Sequence, residues 1–134
     1  MADVLLKIDG LSSGYEPLRG YDGWFRLNSF SPDLPRGNRG YGRGIDRSGE
    51  ASTSIGFFLT REQDAATARL VRWATDGTTV REVTAEFIRD GGWYLRYRFS
   101  NAMVASVSLS GSEPGRPTES SGWLAEAFSV ETPG

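Results

Sequence analysis

The chain contains neither cysteine nor histidine. Without a thiol there is no disulfide, no thiolate nucleophile and no cysteine-ligated metal. Without an imidazole the Ser-His-Asp and Cys-His arrangements and most zinc and iron sites are excluded as well. Lysine is nearly missing: of 15 basic residues only Lys7 is a lysine, the rest being arginines. Long apolar runs are missing too, since no stretch approaches the roughly 18 residues of a membrane span, so no membrane insertion is expected. The N-terminal "MADVLLKIDG" has an acid at position 3 and an apolar stretch broken by Lys7, which does not fit a signal peptide. The expectation is synthesis in the cytoplasm, with any export by a route that needs no cleavable signal. A net charge of −2 supplies no general attraction for nucleic acid, and no such partner is expected.

What is present is period-two alternation. The 134 residues show no break in composition, so a single domain over 1–134 is expected, and 17 glycines imply many turns. "VLLKIDG" reads as a strand closed by a glycine turn, and "GWFRLNSF" (23–30) as a second that Pro32 and Pro35 end, Phe30 breaking its alternation. Residues 36–50, "RGNRGYGRGIDRSGE", read as a long mobile Arg/Gly-rich loop. "STSIGFFL" (52–59) is a third strand. The period then changes: Thr60 and Gln63 have the spacing of a capping box, and Ala66, Leu70, Trp73 and Ala74 form an apolar stripe that predicts a helix over about 61–76, with Gly77 at its end. "VREVTAEFIR" (80–89) returns to period two, "DGG" turns a hairpin, and "WYLRYRF" places Tyr94, Arg96 and Arg98 on one face. After a break at "SN", "AMVASVSLSG" puts Val104, Ser106 and Ser108 together, and "TESSGWLAEAFSVE" supplies a last strand. About seven short strands and one lateral helix predict a mainly β fold of antiparallel strands, a sandwich or a small closed or nearly closed β-barrel.

Catalytic chemistry finds no foothold. Asp9, Asp22 and Asp33 lie near turns, where Asp bonds locally, and no carboxylate pair of glycosidase type stands out. "GYGRG" (40–44) precedes no helix and so does not cradle a dinucleotide, and its four neighbouring arginines with one aromatic fall short of an RNA-binding segment. Tyr94, Arg96 and Arg98 could bind an anionic or aromatic ligand, pair with Glu82 and Glu86 on a wet barrel face, or meet another copy of the chain. The residues alone leave these open. No enzyme activity, metal or other cofactor is expected.

One family shows the same order of segments. "LLKIDG", "LNSFS" (27–31), "FFLTREQDAATARLVRWATDG" (57–77), "VTAEFIRDGG" (83–92), "VASVSLSGS" (104–112) and "PTESSGWLAEAFSVE" (117–131) together resemble the haemolysin-coregulated proteins (Hcp), the tube subunits of bacterial type VI secretion. The pattern departs at 32–50, where two prolines and the Arg-Gly stretch stand in place of the family's variable loop. The resemblance implies a β-barrel with a lateral helix that forms homo-hexameric rings stacked into a hollow tube. It also implies release through the secretion machinery, effectors in the lumen, and sheath, spike and effector proteins as partners, without catalysis. On this reading Ser31, with Ser29 beside it, matches the lumen position. Arg36, Arg39, Tyr41, Arg43 and Arg47 belong to a ring-stacking loop, and Tyr94, Arg96 and Arg98 are a possible subunit interface. The alternatives are a small-ligand or polysaccharide-binding β-barrel, and a tail-tube protein of a phage or another contractile injection machine.

Overall fold

The computed structural model describes residues 3–34, 55–111 and 117–134. The predicted loop residues Arg36, Arg39, Tyr41, Arg43 and Arg47 lie outside them. Among the described residues there are eight strands: β1 (Asp3–Ile8), β2 (Phe25–Arg26), β3 (Ser29–Asp33), β4 (Ile55–Glu62), β5 (Thr79–Arg89), β6 (Gly92–Ser110), β7 (Thr118–Ala125) and β8 (Ala127–Glu131). They form one antiparallel sheet in the order β2-β1-β5-β6-β7-β4-β3, with β8 added to β6. Among the described residues the sheet is not closed by pairing, but its end strands β2 and β3 are consecutive in the chain. Leu27 N–H donates to Val4 at one end and Asn28 N–H to Thr60 at the other, so two neighbouring residues span the seam of a nearly closed barrel.

The interior is apolar because every second residue points inward. Phe57 stacks on Trp123 with ring centroids 5.6 Å apart and meets Phe99 at 4.2 Å, and Tyr97 lies parallel to Phe99. Phe30 joins them because Asn28 and Ser29 are both exposed, which shifts the parity of the strand. Pro32 does not end this strand. It sits within β3, whose place at the sheet's edge tolerates a residue that cannot donate.

The helix α1 (Thr67–Asp76) is shorter than its sequence suggests. Thr60 and Gln63 do not cap it: Thr60 belongs to β4, and Gln63 donates its amide to the Thr118 carbonyl. The entry is fixed instead by Asp64, which accepts from the Ala66 N–H while its own N–H donates to Thr67 Oγ1. Leu70 and Trp73 enter the core, and Gly77 takes the left-handed conformation (φ 74°) with its N–H on the Trp73 carbonyl. The Asp90–Gly91 turn has both φ angles positive, as a tight type I′ hairpin needs.

β6 is one strand of 19 residues, not two parted at "SN". Asn101 takes φ 51° inside it, and a bulge lies between Val104 and Ser106. These irregularities separate residues that plain alternation groups: Val104 is buried in the core, whereas Ser106 and Ser108 are exposed.

Candidate functional site: a hydroxyl-lined barrel face

On β4 the residues Ile55, Phe57, Leu59 and Arg61 are buried, so Gly56, Phe58, Thr60 and Glu62 form the outer face. The register carries that face across four strands. One row runs Ser29, Thr60, Ser120, Ser108, and the next runs Ser31, Phe58, Gly122, Ser106, through β3, β4, β7 and β6. Ser29 and Ser31, both expected at a lumen wall, thus stand in adjacent rows beside Ser106, Ser108, Ser120 and Thr60. Ser29 Oγ and Thr60 Oγ1 are 2.7 Å apart. The shallow depression over these residues measures about 220 Å³. Neither row holds a charge; Asp33 and Glu62 appear only in the rows beyond. The sequence carried a signal for the missed serines, alternating hydroxyls in "SVSLS" and "TES", but only the bulge and the pairing register bring those strands together.

The predicted Arg96 and Arg98 belong to a different stretch of the outer wall, where β6 lies between β5 and β8. Arg96 Nε donates to Glu86 at 2.7 Å and its Nη1 to Glu131 at 3.1 Å, while Arg98 donates to Glu131 at 2.9 Å and to Glu82 at 2.8 Å. Tyr21, from the long β1–β2 connection, closes the set by donating its hydroxyl to Glu86 at 2.7 Å. Partial burial, then the Glu86 hydrogen bond and charge, push its phenol up to about 12, against a smaller opposing pull from Arg96. Both guanidinium groups are therefore matched within the chain. Tyr94 does not share this face. A bulge between Phe87 and Ile88 shifts the alternation, so Trp93 lies under Arg96 at 3.8 Å, and Tyr94 turns towards Phe87 with Arg89 over its ring at 4.2 Å. Beside the network a groove of about 360 Å³ is lined by Lys7, Asp9, Trp24 and Arg81 among others.

Sequence reasoning also missed a buried ion pair. Arg61 and Glu119 face each other across β4 and β7, 3% and 0% exposed, in a forked contact of 2.9 and 2.8 Å. Arg61 reaches Asp64 at 2.9 Å and lies over the Phe25 ring, and Thr67 Oγ1 donates to Glu119 at 2.8 Å. This cluster ties the start of α1 to the sheet. Neither residue stands out in sequence, because Arg61 sits among the charges of "TREQD", Glu119 sits alone in "PTESSG", and the two are 58 residues apart.

Residues 5–124 match the family described as "Type VI secretion system effector, Hcp". No curated protein matches the chain. Among solved structures, Hcp1 from Salmonella typhimurium is similar at a TM-score of 0.78 and 19% identity, covering 99% of this chain and 86% of that one. A type VI secretion system effector from Yersinia pestis is similar at 0.72 and 17% identity, covering 98% and 100%. The tube-sheath complex of the extracellular contractile injection system PVC contains a chain similar at 0.64 and 14% identity, covering 97% and 88%. At these identities the likeness is one of fold.

Proposed function

The chain belongs to the Hcp family of type VI secretion effectors, and from that premise we propose that it is a structural tube subunit, without catalysis, whose hydroxyl-lined face is the wall of the lumen. One observation carries the reading: two strand pairs remote from each other in sequence, β3–β4 and β6–β7, converge on a face with two uncharged rows rich in serine. A channel through which folded proteins slide needs a wetted wall that binds no charge strongly, and short hydroxyls both donate and accept without imposing a sign. Copies of the barrel assemble head to tail into closed hexameric rings, a heterologous contact whose rotation closes. The rings stack through the segment bearing Arg36, Arg39, Tyr41, Arg43 and Arg47, effectors ride inside, and a sheath and a spike engage the tube, which the secretion machinery releases. Arg96 and Arg98, already matched by Glu82, Glu86 and Glu131, stiffen the outer wall and the docking of β8 at the subunit boundary.

Negative-stain microscopy and analytical ultracentrifugation of the purified protein test assembly. Rings and stacked tubes are expected, and monomers alone over a wide concentration range would contradict the proposal. Deleting residues 37–49 should leave rings intact and impair stacking; loss of the rings with the fold preserved would place that segment in the ring interface instead.

A further inference from the structure

Within the hydroxyl-lined face one side chain is out of character. Phe58 is 56% exposed, and its position is not left to chance. A Cβ added at Gly122, its partner across β7, would lie 2.9 Å from Phe58 Cε1, so the ring lies down over the bare backbone of that glycine. In the next row the order is reversed: Leu124, 38% exposed, stands opposite Gly56, although there an added Cβ would meet Leu124 Cδ2 only at an ordinary contact distance of 3.9 Å. Two apolar side chains and two glycines thus occupy the corners of one square of sheet, which makes a low, flat platform.

We propose that Phe58, with Leu124 beside it, is the specificity-determining anchor of this wall and receives an exposed aliphatic or aromatic side chain of a folded cargo protein. The occupant follows from charge matching. The row of Phe58 and the row of Ser29 hold no charge and the row of Leu124 carries only Asp33, so an anionic cargo patch would be stripped of water and find no counter-charge. An uncharged patch with one apolar side chain would bury it on the ring and set its main-chain groups among the serine hydroxyls. Single contacts of this kind are weak, and copies repeated around a ring add through effective concentration. The inference rests on reading this face as the lumen wall.

The test titrates 15N-labelled protein with N-acetyl-tryptophanamide and, as the charged counterpart, N-acetyl-aspartate amide. The tryptophan probe should shift the amide signals of Phe58, Gly122 and Leu124, and the aspartate probe should not. Phe58→Ser should weaken the tryptophan probe at least about tenfold, equivalent to roughly 1.4 kcal/mol. Gly122→Ala, which pushes the ring off its seat, should weaken it in the same direction, giving a second variant independent of the loss of the phenyl group. Unchanged affinity in both variants, shifts centred on the groove by Trp24, or a wild-type dimer that Phe58→Ser abolishes would each overturn the proposal. Its failure is separable from that of the lumen reading. If a label on Ser108→Cys is shielded in assembled tubes while Phe58→Ser binds normally, only the anchor falls; if the label is freely accessible while Phe58→Ser loses the probe, only the lumen assignment falls.

Discussion

Tyr21 shows how one residue can report on the wall's outer network. Its phenol is held up to about 12, from an ordinary 10.0, by partial burial and by donation to Glu86. A group whose pKa is raised on folding contributes stability that is fully present below its unfolded pKa and is lost as pH climbs through the folded one. Chemical unfolding followed from pH 8 upward should therefore show stability falling between about pH 10 and 12. Tyr21→Phe should be less stable than wild type at pH 8 and flatter across that window, and an equally steep fall in the variant would remove Tyr21 as the cause. Sequence reading was uneven at this scale. Gly77 and the Asp90–Gly91 turn were legible because their conformations are nearly specific to those residue types. The family pattern singled out Ser29 and Ser31, which lie together on the hydroxyl-lined face. Tyr94 was misplaced because a single bulged residue reverses every alternation beyond it.

Elements are joined here by two kinds of charge contact, and magnitude separates them. Arg61 and Glu119 are buried, and removing Glu119 leaves the Arg61 guanidinium with Asp64 as its remaining carboxylate partner and takes the acceptor from Thr67 Oγ1: Glu119→Ala should cost up to about 3–5 kcal/mol by denaturant unfolding. The paired replacement Arg61→Met with Glu119→Leu should restore most of that loss, because a buried ion pair and a packed apolar pair of similar volume are close in free energy. A double variant no better than the single would show the pair to be indispensable to α1 docking. Glu131 is different. Its side chain is 36% exposed while it bridges Arg96 and Arg98, so Glu131→Ala should cost only about 0.2–1 kcal/mol for each pair lost, with the fold and β8 retained. A loss as large as that at Glu119 would mean that solvent screening is far weaker on this wall than its exposure implies. The elements themselves were largely visible in sequence, since period two and period 3.6 differ plainly. Their ends were not: Thr60 and Gln63 satisfy a capping pattern, yet pairing with β7 keeps that segment in the sheet and the helix starts later.

For the whole molecule, the mainly β class was legible from the number and spacing of strands and the barrel from the family pattern, whereas the seam at Leu27 and Asn28 and the convergence of the serines were not. Both depend on register between strands far apart in the chain, which no local pattern encodes. The central claim is that this serine face lines an enclosed channel. The absence of cysteine makes it directly measurable, because Ser108→Cys supplies the chain's single thiol. Its reaction is compared, in dispersed subunits and in assembled tubes, with a small maleimide and with a maleimide carried on a folded protein too wide to enter. The account predicts that dispersed subunits take up both reagents while tubes take up only the small one. Tubes labelled by the wide reagent as fast as dispersed subunits would place the serine face on the outside and contradict it.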